Sequence, residues 1–161
     1  MPVTPDRLDW PSMIGNFLLN FGMLDLLVQD FLEDNLNPTE FRKWRDRGFQ
    51  DRVDRLKKLL EQSASISAQR PAICRFFAQV DRVREFRNHI AHGVLRLALA
   101  EDQKGWIMTV TLPRDLSGSE SPDPMHVTFD QLLDASKSLT ESVEDFQRLF
   151  GNWVTDLDVT F

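Results

Sequence analysis

The sequence predicts a mainly α-helical protein, a four-helix bundle with a short β-hairpin between its third and last helices. Three observations predict it. Apolar residues recur at alternating spacings of three and four over several long windows, which is the period of one buried helix face. Helix start and stop residues bound those windows. Between the third and last windows the apolar period falls to two, the period of a half-buried strand. At 161 residues the chain is expected to form one domain, residues 1–161, burying about 70% of its unfolded surface.

The first helix is expected to take Asp9 as N-cap and Pro11 in its first turn. Ile14, Phe17, Phe21, Leu24, Val28 and Phe31 form its apolar stripe, and it ends before Asn37-Pro38, because proline disfavours helix at the residue before it. A second, charged helical region begins at Thr39 and Glu40, with Phe49, Val53, Leu56 and Leu60 as its apolar face. A Ser/Ala-rich link, Ser63 to Gln69, leads to Pro71, which opens a third helix running to about Ala91. Its stripe is Ile73, Phe76, Phe77, Val80, Val83, Phe86 and Ile90. After Gly93, Leu95, Leu97 and Leu99 alternate with smaller or polar residues; Glu101 to Gly105 reads as a turn and Trp106 to Leu112 as the second hairpin strand. Pro113 to Pro124 is a loop by composition. Thr128-Phe129-Asp130-Gln131 is a capping box, and the last helix carries Leu132, Leu139, Val143, Phe146, Phe150 and Trp153 on one face.

Composition narrows the class. A net charge of −6 argues against a general nucleic-acid binder, yet the charge is unevenly distributed. From Arg42 to Arg96 the chain holds 14 basic and 6 acidic residues, against 5 basic and 19 acidic elsewhere. One cysteine, Cys74, excludes a disulfide framework and reads as a small core or boundary residue. With no secretory signal, and with Asn16, Asn20, Asp25 and Asp30 in the most apolar helix, no membrane span is expected and a cytoplasmic location is. There is no phosphate-binding glycine loop and no Cys/His metal spacing, so neither cofactor nor metal is expected. Asp123 and His126 lie close in sequence but are thin support for a metal. Lys43-Trp44-Arg45 interleaves an aromatic with cations, as base-stacking platforms do, although a tryptophan packed on the bundle explains it more simply.

One stretch breaks the pattern of its own helix, Arg84-Glu85-Phe86-Arg87-Asn88-His89-Ile90-Ala91-His92-Gly93. At about 100° per residue, Arg87 falls near the centre of the apolar stripe, between Val83 and Ile90. A guanidinium there must be paired, solvated at the helix end, or held at an interface. His92 falls about 140° around from Arg87, while Asn88 and His92, four apart, share a face. Arg87 and His92 meet only if the last turn unwinds at Gly93, or if two copies face each other across a two-fold axis. The structural alternative is that Arg87 and Asn88 tie helix ends together while His92 caps the helix near its last carbonyls.

Arg87-Asn88-His89-Ile90-Ala91-His92-Gly93 resembles the Arg-x(4–6)-His motif of HEPN domains, small helical bundles of bacterial defence and toxin–antitoxin systems. Many members are metal-independent ribonucleases that act as dimers, with motifs from both protomers in one cleft. The resemblance covers nearly the whole chain in layout, but about seven residues carry it in detail. It implies Arg87 and His92 as the catalytic pair with Asn88 beside them, RNA as substrate, a homodimer, and an antitoxin or defence-system partner. Arg84 and His89 are the accompanying candidates for substrate binding. The chain departs from some HEPN toxins at Val94, where they carry a tyrosine that a partner nucleotidyltransferase modifies; this sequence has no tyrosine.

The residue types suit that chemistry on their own account. Metal-free RNA cleavage moves a proton from the 2′-OH, protonates the 5′-oxygen and stabilises charge on phosphorus. Histidine, as a residue type, titrates near neutral pH and serves either proton step. Arginine stays charged and presents planar donors matched to phosphate oxygens. A non-catalytic module that binds a nucleotide, RNA or a partner protein through the same residues is the alternative, and a purely structural dimerisation protein is a third.

Overall fold

Apolar periodicity becomes five helices and one sheet among the residues that the computed structural model describes, 9–62, 69–99, 105–112 and 123–151. In chain order these are α1 (Asp9–Asn35), α2 (Pro38–Arg45), α3 (Phe49–Glu61), α4 (Arg70–His92), β1 (Val94–Leu99), β2 (Trp106–Thr111), β3 (Met125–Thr128) and α5 (Phe129–Phe150). The chain is mainly helical, as the spacing predicts. Most of the link after α3, most of the expected turn after Leu99, the loop from Pro113 to Pro122 and Trp153 lie outside the described residues.

Two helical boundaries differ from expectation. The charged second region is two helices, broken at Asp46 to Gly48, with Gly48 as N-cap of α3. Proline stands in the first turn of α2, and Asn37 is its N-cap, accepting a hydrogen bond from the Glu40 amide at 2.9 Å. Asp9 is already helical rather than a cap.

The chain divides into two compact units, residues 1–21 with 80–140 and residues 22–79 with 141–161; α1, α4 and α5 contribute residues to both. In the second unit, Phe31, Phe76, Phe146 and Phe150 pack edge-on at centroid distances of 5.5 to 6.1 Å, with Phe146 and Phe150 tilted at 4.8 Å. Its buried cation, Arg52, donates to Asp25 at 2.5 Å and to the carbonyls of Arg45 and Arg47 where the chain turns from α2 to α3. Trp44 is half-buried while Lys43 and Arg45 are exposed, the arrangement of a packed tryptophan. Cys74 is exposed, which corrects the core or boundary reading: its position on α4 lies outside the apolar stripe.

The first unit holds the sheet. Its order is β1-β2-β3, both pairings antiparallel. The hairpin reading is thus one strand short. Met125 to Thr128 alternates Met and Val with His and Thr, but four residues that follow Pro124 and run into the capping box at Thr128 give too short a period-two signal to read as a strand. Met108, Val110 and Val127 are buried on one face, with Leu95 and Leu97 half-buried beside them. The other face carries Val94, Arg96, Ala98, Ile107, Thr109, Thr111, His126 and Thr128. Trp10 is fully buried and packs edge-on against Phe129 at 5.3 Å. At the start of α5 the capping box forms as expected: the Thr128 amide donates to Gln131 Oε1 at 2.8 Å, and the Gln131 amide donates to Thr128 Oγ1 at 3.2 Å.

α1 is long and apolar enough, by length and composition, to cross a membrane. Its Phe17, Phe21, Leu24, Val28, Phe31 and Leu32 are buried and Asp25 is ion-paired to Arg52, while Leu19, Met23 and Leu26 on the same helix are exposed.

Candidate functional site

The C-terminal part of α4 carries the candidate residues, all within the first unit. The helix stays regular to its end: Gly93 N donates to the His89 carbonyl at 2.8 Å, so the last turn does not unwind. Gly93 is there for space, not for a left-handed backbone. A Cβ at this position would sit 2.5 Å from the His89 carbonyl oxygen and closer still to Val110 Cγ1. The end of α4 therefore abuts β2 directly, and β1 leaves immediately after the motif.

Arg87 sits where the wheel places it, on the stripe formed by Val80, Val83 and Ile90, which are all buried. It is half-buried. Its Cζ lies 5.2 Å from the centroid of the Phe21 ring, and Nη1 donates to Asn88 Oδ1 at 3.3 Å. Phe21 in turn is 3% exposed, a rigid floor beneath the guanidinium. Arg84, one turn earlier, is half-buried with a buried Nε that has no hydrogen-bond partner. Among the described residues no carboxylate pairs with Arg84 or Arg87. Two half-buried cations thus stand one turn apart on α4 without a counter-ion among the described residues. Desolvating a cation is costly unless something compensates it, and an anionic ligand does so.

The remaining candidates are distributed differently. Asn88 is exposed, bonded to Arg87, and one turn before His92 on the same face. His92 is exposed at the last helical position. On this regular helix it lies about 140° around the axis and about 7.5 Å along it from Arg87. His89 Nδ1 lies 2.9 Å from the Glu85 carbonyl, which only accepts, so that nitrogen carries the proton and ties the ring to its own helix. His89 faces about 160° away from Arg87. One copy of the chain therefore gathers Arg84, Arg87 and Asn88, and leaves His89 and His92 outside that group.

Phe21 was visible in the sequence only as a core residue of α1; its place under Arg87 is a long-range contact that no local pattern encodes. No group of His, Cys, Asp and Glu able to hold a metal occurs among the described residues, and His126 is hydrogen-bonded to Thr109 instead. No family model matches the chain, and no curated protein or solved structure matches it either.

Proposed function

We propose that this chain is a metal-independent endoribonuclease of HEPN type, a single four-helix-bundle domain that works as a homodimer in a bacterial defence, toxin–antitoxin or stress setting in the cytoplasm. The observation that carries this reading is the pair of guanidiniums, Arg84 and Arg87, without a carboxylate among the described residues. Packing alone favours an aliphatic side chain at both positions. A phosphate supplies the missing charge, and a stacked arginine binds it through two parallel N–H donors.

In the proposed reaction the 2′-oxygen attacks the adjacent phosphorus and the bond from phosphorus to the 5′-oxygen breaks. One imidazole takes the 2′-hydroxyl proton and another donates a proton to the departing 5′-oxygen, so the ends are a 2′,3′-cyclic phosphate and a 5′-hydroxyl. His92 supplies the imidazole, and its twin in a second copy supplies the other. Arg87 binds the scissile phosphate and its transition state, Asn88 holds Arg87 from one side, and the Phe21 ring lies beneath the guanidinium. Acid–base help is worth about 10²–10⁴-fold and each electrostatic donor about 10²–10³-fold.

A second reading has its own observation. His92 is exposed and diverges from Arg87 on an unbroken helix, so one copy holds an anion site without an aligned base. That arrangement favours a module binding RNA, a nucleotide or a partner protein without turnover. RNA with 2′-deoxy sugars separates the two readings: the nuclease cuts the ribose strand in chelator, leaves the deoxy strand intact and still binds both. Equal survival of both strands with retained binding decides for the module.

A further inference from the structure

The outward face of the sheet carries a row of side chains that the proposed reaction does not use. Strand register sets Arg96 opposite Thr109 and Thr109 opposite His126. Paired Cα atoms lie about 4.5–5.5 Å apart across such ladders, so the row spans about 10 Å. Arg96 and His126 are exposed, and Thr109 Oγ1 lies 3.2 Å from His126 Nδ1, which orients the ring and leaves Nε2 without a partner among the described residues. Thr111 and Thr128 add hydroxyls to the same face.

Charge says what this face suits. No aspartate or glutamate occurs in any of the three strands, although the chain as a whole has 25 acidic residues against 19 basic. No phenylalanine or tryptophan stands on the outward face, so it offers no stacking platform for bases. Cation, imidazole and hydroxyls are the groups that contact phosphate and ribose oxygens. Position says where the strand comes from: only Gly93, Val94 and Leu95 separate His92 from Arg96, at most about 14 Å of extended chain. The tight seat of Gly93 against Val110 holds the sheet on the end of α4.

We infer that the outward sheet face is a second subsite, which binds the sugar–phosphate backbone of single-stranded RNA flanking the bond to be cut. This rests on the ribonuclease reading for its substrate. Arg96 pairs with one phosphate, and His126 and the threonine hydroxyls take neighbouring phosphate or 2′-hydroxyl oxygens. Binding here is tolerant of base sequence, because no group on the face reads base edges in a stacked pocket.

The test uses the full chain carrying His92→Ala, so that RNA stays uncut, and measures fluorescence anisotropy with a labelled single-stranded RNA and with a dinucleotide. Adding Arg96→Gln and His126→Gln is expected to weaken the longer RNA about tenfold and to leave the dinucleotide affinity as it was. Losing one phosphate contact makes the slope of log affinity against log salt shallower by about 0.7 for a single strand. Arg96→Lys, which keeps the charge, is expected to restore that slope, and it serves if the double variant folds poorly. Unchanged affinity and slope in the variants, or no RNA binding by the parent, overturns the inference. Cleavage by the wild-type chain is scored separately: variants that weaken binding while the wild type never cuts leave this subsite standing and remove the nuclease reading.

Discussion

Arg84 and Arg87 are residues that stability alone does not explain. A buried Nε without a partner costs about 1–3 kcal/mol, and Arg84 carries one. Both guanidiniums are half-buried, and an apolar side chain of similar size in place of an imperfectly compensated charge is often neutral or stabilising. Arg84→Met and Arg87→Met are therefore expected to keep or raise the unfolding midpoint in urea while RNA binding falls. Methionine also suits the site under Arg87, because its sulfur packs well against a phenylalanine ring such as Phe21. A loss of more than about 2 kcal/mol in either variant gives the guanidinium a structural job and removes the main support for an anion site. At this scale the sequence was informative about Arg87, whose place on the stripe follows from helical geometry alone. It was silent about Phe21, because the ring reaches Arg87 from another helix.

At the scale of elements, the end of α4 and the sheet behave as one piece, and Gly93 is the reason. Its amide closes the last helical bond to His89, and its missing Cβ leaves room for Val110. Gly93→Ala drives a methyl into a backbone carbonyl and a packed valine, and such overpacking typically costs about 1–3 kcal/mol. The expected outcome is a lower melting temperature together with weaker RNA binding, since the end of α4 and β2 must move apart to admit the methyl. An alanine variant of wild-type stability would mean the junction relaxes freely. The elements legible in the sequence were those with long or strongly capped signals, α1, α4 and the Thr128–Gln131 box of α5. The missed ones had a physical excuse. β3 is only four residues long, and the break between α2 and α3 at Asp46 to Gly48 lies inside one charged region with no proline to mark it.

At the scale of the whole molecule, the proposed reaction gives each chain half of a site. Arg87 and His92 diverge on a regular helix, so the proposed cleavage needs a second copy whose His92 joins that of the first around one phosphate. This part was legible only as a requirement: helical geometry says that the two side chains do not meet within a copy, and a single sequence does not contain its partner. The most direct measurement is the rate of RNA cleavage in excess chelator by the wild-type chain, Arg87→Ala and His92→Ala. The expected result is that the wild type cuts RNA to 2′,3′-cyclic phosphate ends and that each variant loses at least about 10²-fold in rate. A wild-type chain that leaves RNA intact, or variants that cut as fast as the wild type, would contradict it.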